Sequence, residues 1–342
     1  MLFGIKNFKI YVTGESYAGR YVPYISAAML NQKDKKYFDL KGSLVYDPCI
    51  GDFNYIQEET VAVPFVQQAN NLFGFNATFL AQLDTLDKTC GYADYRAKYL
   101  TFPPPSPQPP FFLNYSSATD QTCFVFDLIT AEAFENNPCF DIYEVNQQCP
   151  LLWDVLSFPT QFVYDPAGAP TTYFNRSDVK AAMHAPPISW SICGENTVFT
   201  GGFGNGPESE GDLSADPIQH VLPQVIEATN RVLISNGDLD FIIITNGTLL
   251  AIQNMTWHGK LGFQERPSAP IVITTPDLQY QDTFRANGAQ GLDGPQGTMG
   301  VQHFERGLMW AQTFLSGHEV PEFQPRVALQ HLRWLLGRVE TL

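Results

Sequence analysis

A serine among small residues is the first feature of the sequence that indicates catalysis. Ser16 lies in the segment GESYAG at 14–19, which we interpret as the G-x-S-x-G pattern of a nucleophile elbow. Such a turn is tight and its serine hydroxyl points outward, so bulky neighbours are excluded. A helix that begins there directs backbone N–H groups and its positive dipole end at a developing oxyanion. The segment therefore predicts a serine nucleophile.

A serine nucleophile needs a general base, and the base needs an orienting acid. His318 follows a strand-like run in Ser-Gly-His-Glu-Val-Pro, where small residues allow a loop to turn the ring inward. Asp238 and Asp240 both end a buried strand in RVLISNGDLDF, and both are candidates for the acid. Their order along the chain, Ser-Asp-His, is the one expected for this kind of site. Other histidines lie on predicted helices or lack a suitable loop: His184, His331, His258 and His303.

The elements that must position these residues alternate between strand and helix. Buried strands are predicted for FKIYVT at 8–13, GSLVYDP at 42–48, RVLISNG at 231–237, IVITT near 271 and two runs within TMGVQHFERGLMWAQTFLSG. Helices are predicted directly after Ser16, over 175–186 with Ser177 as N-cap, from 217, over LLAIQNMTWHG and after Pro325. Strands that alternate with helices predict a mainly parallel, doubly wound α/β sheet.

A stretch of different character interrupts this alternation. It is rich in Pro, Asn and Tyr, contains PPPSPQPP at 103–110, and holds four of the six cysteines between 90 and 149. We therefore assign 1–51 and 216–342 to the α/β core and 52–215 to a large cap insertion with disulfides.

Composition excludes several classes of function. The 342 residues carry a net charge of −15, so the chain lacks the basic surface that nucleic acids require. No run of about 18 apolar residues predicts a membrane span. No CxxC pair, HExxH motif or Cys/His cluster has metal-ligand spacing, so we expect no metal and no cofactor. Oligomeric state cannot be predicted from these features.

Cysteines and glycosylation motifs both favour an oxidising compartment. Six cysteines and five N-x-S/T motifs occur, and the motifs begin at Asn76, Asn114, Asn175, Asn246 and Asn254. The expected location is therefore the secretory pathway, although the N-terminus MLFGIKNFKIYVTGES does not resemble a signal peptide.

The longer motifs resemble those of the serine carboxypeptidases, exopeptidases of the α/β-hydrolase fold that are vacuolar, lysosomal or secreted. The resemblance is carried by IYVTGESYAGRYVPYI, by VLISNGDLDFI, by LSGHEVPEFQP and by NRSDVKAAMHAP. It extends over essentially the whole chain, and ITNGTLLAIQNMTWHGKLGFQ is most similar to fungal secreted or vacuolar members.

This resemblance implies a role for each site residue. Ser16 is the nucleophile, His318 the general base, and Asp240 rather than Asp238 the acid, because the family acid directly precedes a Phe. The Tyr17 N–H is an oxyanion donor and its side chain lines the substrate site. Glu15 binds the C-terminal carboxylate of the substrate, which requires a protonated carboxyl and so predicts activity favouring acidic pH. Glu319 is expected either to favour basic residues in the substrate or to be a solvated glutamate.

The resemblance also implies that the chain is N-terminally truncated. The family's upstream Gly-Gly-Pro-Gly-Cys-type segment, which supplies a second oxyanion donor, and several N-terminal strands are expected to be missing. Cys193 is expected to be unpaired, because it resembles the cysteine that bridges to that segment.

Three functions follow from these features. The first is a serine carboxypeptidase that acts on peptide C-termini through an acyl-enzyme. The second is an esterase or acyltransferase on the same fold. The third is a truncated, inactive pseudoenzyme that binds peptides.

Overall fold

The computed structural model describes residues 8–110, 113, 122–149, 173–190, 199, 211–273 and 297–342. Within these ranges the chain divides into two compact units. The first comprises 1–130, 142–145 and 216–342, and the second comprises 131–141 and 146–215. The predicted division into a core and a cap at 51/52 and 215/216 stays a prediction.

A six-stranded sheet forms the centre of the first unit, with the strand order β1-β2-β3-β8-β7-β6. The strands are β1 Ile10–Glu15, β2 Leu40–Tyr46, β3 Val232–Gly237, β6 Ala269–Ile273, β7 Gly297–Glu305 and β8 Leu308–Thr313. The pairs β1·β2, β2·β3 and β3·β8 are parallel, whereas β7 pairs antiparallel with both β8 and β6. The prediction of a mainly parallel sheet is confirmed.

Apolar clusters cover both faces of the sheet, as expected where helices pack on both sides of parallel strands. Ile234 and Trp310 belong to one cluster, whereas Leu233 and Met309, one residue earlier in each strand, belong to the other. This change of face follows from the alternation of side chains along a strand. The register of β3 against β8 pairs Leu233 with Met309 and Ile234 with Trp310.

The helices in the described ranges are α1 Ala18–Asn31, α2 Thr60–Phe73, α3 Ala77–Thr89, α4 Tyr92–Tyr99, α5 Val125–Asn136, α6 Ser177–Ala182, α7 Val221–Thr229, α8 Thr245–Gln253, α9 Val320–Phe323 and α10 Pro325–Leu335. A π-helical segment, Phe53–Glu59, leads directly into α2. The helices α2, α3 and α4 lie in the stretch assigned to the cap insertion, where the sequence analysis predicted no helix before residue 175 and so missed them. Asn76 caps α3 by accepting hydrogen bonds from the N–H groups of Thr78 and Phe79.

Two local predictions are wrong. The N-cap of α6 is Arg176, not Ser177, and Ser177 is the first helical residue. The helix predicted over LLAIQNMTWHG ends at Gln253, and two short strands follow, β4 Thr256–Trp257 and β5 Lys260–Leu261. His258 and Gly259 have φ of 45° and 73°, which suits a two-residue hairpin turn and cannot continue a helix.

Two disulfides occur in the described ranges. Cys90 bonds to Cys123 and Cys139 bonds to Cys149, whereas Cys49 is a buried free thiol. Disulfides were predicted for this stretch, and that prediction is confirmed. Cys193 lies outside the described residues.

Candidate active site

Ser16 lies in a strained turn between β1 and α1. Its φ of 59° is in the left-handed region, which non-glycine residues adopt at a cost and mainly at functional sites. The backbone holds it there, because the Ser16 N–H donates to the Tyr46 carbonyl at 2.9 Å. The Ser16 carbonyl accepts from Gly19 N–H at 2.8 Å and from Cys49 N–H at 3.0 Å. The turn has the backbone expected of a nucleophile elbow.

The small residues around Ser16 are required by close approaches. A Cβ on Gly14 would lie 2.5 Å from the Ala18 Cβ, and a Cβ on Gly19 would lie 2.6 Å from the Cys49 nitrogen. Our interpretation of GESYAG as G-x-S-x-G is wrong in one position, because residue 18 is alanine and the second glycine is residue 19. On the C-terminal side of Ser16, the residue that must lack a side chain is Gly19, because it packs against the backbone that follows β2.

His318 and Asp240 form a buried pair. The His318 Nδ1 lies 2.7 Å from the Asp240 Oδ2, and the two side chains are 3% and 0% exposed. Asp240 also accepts a hydrogen bond from the Ile242 N–H at 2.9 Å. Burial alone lowers the pKa of His318, but the charge and hydrogen bond of Asp240 outweigh burial, so this pKa is raised. The pair can therefore hold a proton on the imidazole.

Asp238, the other candidate acid, faces a different partner. Its Oδ1 accepts from the Ser316 N–H at 3.3 Å, and burial raises its pKa to about 6. Of the two aspartates, Asp240 is the one that contacts His318. Asp238 instead fixes the backbone of the loop that carries His318.

The structure contains no hydrogen bond between Ser16 and His318. The His318 Nε2 is buried and has no hydrogen-bond partner in the described part of the chain. Cys49, whose backbone N–H donates to the Ser16 carbonyl, carries a buried thiol, and burial raises the pKa of this thiol to about 12. In enzymes without substrate, catalytic hydrogen bonds are often long and shorten only in the reacting complex.

All three candidate residues follow the carboxyl ends of parallel strands. Ser16 follows β1, Asp240 follows β3 and His318 follows β8. Since these strands are parallel, their carboxyl ends meet at one edge of the sheet, which is where open α/β sheets bind ligands. Tyr143 also contacts this edge, with its ring centroid 5.1 Å from that of His318 and its carbonyl accepting the His318 N–H.

Glu15 and Glu319 lie in the same electrostatic environment as His318. Burial raises the pKa of Glu15; nearby His318 opposes this, whereas Asp240 and Glu322 add to it. Burial also raises the pKa of Glu319 to about 7, with the same opposition from His318. Glu319 can therefore retain its proton in mildly acidic solution, where an ordinary glutamate is ionised, and Glu15 keeps its proton to a higher pH than an ordinary glutamate does.

Tyr17 is the N-cap residue of α1, and its ring packs edge-on against Tyr21 with centroids 5.3 Å apart. Its N–H thus lies at the positive end of the α1 dipole, one residue after the nucleophile.

The sequence analysis missed two residues at this edge, Asp47 and Cys49. Both follow the carboxyl end of β2, and both are buried. The sequence feature that could have identified them is their position. They directly follow the predicted strand GSLVY, just as the other candidate residues follow predicted strands.

Four of the five candidate glycosylation residues are described, and Asn114 lies outside the described residues. Asn76 is exposed at the start of α3, whereas Asn175, Asn246 and Asn254 are partly buried. None of the described helices is long and apolar enough to cross a membrane.

Comparison with known proteins gives consistent results. The serine carboxypeptidase family matches residues 4–338. Serine-type carboxypeptidase F of Aspergillus niger is 62% identical over 341 residues, which are 100% of this chain and 63% of that protein. A probable serine carboxypeptidase of Arthroderma benhamiae is 40% identical over 340 residues, which are 99% of this chain and 60% of that protein. The chain therefore spans about three fifths of the length of these relatives.

A solved structure shows the same fold. It is the crystal structure of Kex1(delta)p, a prohormone-processing carboxypeptidase from Saccharomyces cerevisiae. The similarity has a TM-score of 0.62 at 20% identity and covers 97% of this chain and 62% of the other. The predicted α/β-hydrolase fold is confirmed.

Proposed function

The chain belongs to the serine carboxypeptidase family, and on that premise we propose that it releases C-terminal residues from peptides by acyl-enzyme chemistry. The observation that carries the proposal is the buried pair of His318 and Asp240, 2.7 Å apart, at the same sheet edge as the strained Ser16.

In the proposed reaction, Ser16 Oγ attacks the carbonyl carbon of the last peptide bond while His318 Nε2 accepts the hydroxyl proton. Asp240 holds the imidazole through Nδ1 and stabilises the imidazolium. The Tyr17 N–H donates to the oxyanion at the start of α1. His318 then gives the proton to the leaving amine, and the C-terminal amino acid departs. Water, deprotonated by His318, hydrolyses the ester on Ser16.

Recognition of the substrate C-terminus is assigned to Glu15. A protonated carboxyl can donate a hydrogen bond to the substrate carboxylate, whereas an ionised one would repel it. Support comes from the raised pKa of Glu15. The proposal therefore includes activity that favours acidic pH. We also assign Glu319 to the substrate site, where it would favour basic residues in the substrate only above about pH 7, since its carboxyl is protonated at lower pH.

The proposed location of the full-length protein is the secretory pathway, either vacuolar or lysosomal, or extracellular. Two disulfides in the described ranges support an oxidising compartment. Glycosylation at Asn76 is compatible with its exposure, and its cap hydrogen bonds use Oδ1 and leave the amide nitrogen available. Asn114, Asn175, Asn246 and Asn254 remain proposed sites.

The test combines covalent labelling with product analysis. The purified chain is treated with an organophosphonate fluoride, and peptides with a blocked N-terminus are supplied at acidic pH. We expect labelling that disappears in Ser16→Ala and release of free C-terminal amino acids. Turnover of esters without any peptide hydrolysis would favour the esterase or acyltransferase alternative. Absence of labelling in a folded chain would favour a peptide-binding protein without catalysis.

A further inference from the structure

A second buried carboxyl lies against the pair of His318 and Asp240. Asp47 directly follows β2, and its side chain is 0% exposed. One atom of Asp47, one of Asp240 and one of His318 all lie within 4.8 Å of one another. The contact with Asp240 is one of the causes that raise the pKa of Asp47. Two ionised carboxylates at this separation repel each other strongly, so in the buried site one of them keeps a proton.

The hydrogen bonds identify which carboxyl holds that proton. Asp240 is engaged on both oxygens, with His318 Nδ1 at 2.7 Å and with the Ile242 N–H at 2.9 Å. Asp47 uses only Oδ1, which accepts from the Gly237 N–H at 2.9 Å and the Asn236 amide at 3.3 Å. The buried Asp47 Oδ2 accepts from no donor in the described ranges. Oδ2 is therefore the oxygen that can carry a hydrogen.

The charges around Asp47 agree with this assignment. Within the described ranges, the ion pairs of lysine and arginine do not include Asp47. The titratable groups that face it are Asp240 and Glu15, the adjacent Tyr46, and His318 across the cluster. Burial raises the pKa of Asp47, and the negative charge of Asp240 raises it further. Among the residues that the structure describes, His318 is the group of this cluster that can balance a second negative charge.

Backbone and side-chain contacts fix the orientation of Asp47. Its φ is 40°, and its N–H donates to the Ser235 carbonyl at 2.7 Å. The Asn236 amide that holds Oδ1 also donates to Thr248 Oγ1 at 3.0 Å, and Gln57 Nε2 donates to the same hydroxyl at 2.9 Å. These residues are all buried. The network engages the backbone N–H and Oδ1 of Asp47 and leaves Oδ2 as the oxygen that is available to Asp240.

We propose that Asp47 is a positioning residue that stays protonated and donates an Oδ2–H hydrogen bond to the Asp240 carboxylate. Where it concerns catalysis, this role rests on the proposed function. Asp240 then receives a further donor, which withdraws negative charge from the side that faces His318. A less negative Asp240 stabilises the imidazolium less, so His318 stays neutral, and able to accept the Ser16 proton, to a lower pH than Asp240 alone would allow.

The shared proton is tested without any measurement of activity. Infrared spectra of the chain labelled with carboxyl-¹³C aspartate at about pH 8 should contain the carbonyl stretch of a protonated carboxylic acid, since ordinary aspartates titrate near pH 4. Asp47→Asn should remove that band. The unfolding equilibrium constant of the wild type, divided by that of Asp47→Asn, should increase with pH above about 4, by up to tenfold per pH unit. The reason is that Asp47 keeps its proton in the folded wild type and loses it on unfolding, whereas an asparagine has no such proton.

Asp87→Asn is the matched control. Asp87 is a buried aspartate whose Oδ2 lies 2.6 Å from Arg96, so this variant loses an ion pair of an ionised carboxylate. It should keep the infrared band and should be less stable than the wild type.

Two further outcomes would overturn the proposal. One is a wild-type spectrum without the protonated band, whether or not Asp47→Asn folds. The other is a loss of stability on dialysis against EDTA that Zn²⁺ restores, because the same three ligand atoms would then hold a metal ion.

The effect on His318 is tested by the pH dependence of labelling with the organophosphonate fluoride. Asp47→Asn keeps an N–H donor to Asp240, so its profile should match the wild type. Asp47→Ala removes the donor, and the acidic limb of its profile should move to higher pH. Equal profiles for all three proteins would refute the positioning role. If the wild type had the infrared band of the protonated aspartate but were not labelled by the organophosphonate fluoride, the proposed function would be refuted. The proposed hydrogen bond from Asp47 to Asp240 would not be contradicted by that result.

Discussion

Two fully buried histidines in this chain have opposite electrostatic surroundings. His331 on α10 has the Tyr46 hydroxyl 3.3 Å from its Nδ1, and burial lowers its pKa to about 3. His318 is also buried, but Asp240 raises its pKa. His331 therefore stays neutral in the folded protein, whereas His318 can take up a proton in the range where a peptidase would use it. The residue type alone does not distinguish these two roles; the carboxylate neighbour does.

Glu15 gives a prediction for pH dependence. Its raised pKa means that Glu15 keeps its proton to a higher pH than an ordinary glutamate and ionises as the pH rises further. The KM for a peptide should therefore rise with pH, and Glu15→Gln should keep the low KM and remove this rise, since an amide retains the donor. Glu15→Ala should increase KM at acidic pH by about tenfold or more, the effect of losing one hydrogen bond to a charged group, and its KM should not rise further with pH.

The matched control for Glu15 is Glu322→Gln, which changes an exposed carboxyl of the same acidic group. Its KM profile should resemble that of the wild type. If Glu15→Gln raised KM at acidic pH as much as Glu15→Ala does, the protonated-carboxyl interpretation would be wrong.

At the scale of elements, strand ends and the loops that leave them determine the site. The loop with His318 passes so close to the end of β3 that a Cβ on Gly237 would lie 2.1 Å from the Gly317 carbonyl oxygen. The Leu239 N–H donates to the Ser316 carbonyl at 2.8 Å, which joins the same two loops. The distance between Asp240 and His318 is thus maintained by two loops in backbone contact.

Gly237→Ala should therefore disturb both stability and the site. The added methyl has no room against backbone atoms, and we expect a loss of about 3 kcal/mol in the free energy of unfolding, as for overpacked cores. Gly74→Ala is the control: its φ is 69° and no atom lies within 4 Å of the added Cβ, so strain of about 1 kcal/mol is expected. Denaturant unfolding of both variants measures the difference, and equal losses would contradict the steric explanation.

At the scale of the whole molecule, one disulfide lies in each compact unit within the residues that the structure describes. Cys90–Cys123 lies in the first unit and closes 33 residues; Cys139–Cys149 lies in the second and closes 10. The first unit also contains every strand of the six-stranded sheet. The stabilisation from each disulfide is expected to act on its own unit.

Removal of each disulfide by paired Cys→Ser substitutions should have unequal effects. The loop-entropy relation gives about 4 kcal/mol for the longer loop and about 3 kcal/mol for the shorter one. Thermal unfolding of the two variants, followed by calorimetry, should show the larger decrease in stability without Cys90–Cys123. A larger decrease without Cys139–Cys149 would mean that the stabilisation by these disulfides does not come mainly from the entropy of the unfolded chain.

The sequence by itself determined the positions of the sheet strands and the segments that carry Ser16, Asp240 and His318, because alternation of apolar residues and glycine-rich turns are local properties. It did not determine the helices of 60–99, whose burial depends on partners far along the chain, nor the turn at His258 that ends the helix before it. Only the tertiary structure decided which residues share the sheet edge. Asp47 and Cys49 have no local motif, and they reach Asp240 and Ser16 because parallel strands bring their carboxyl ends together.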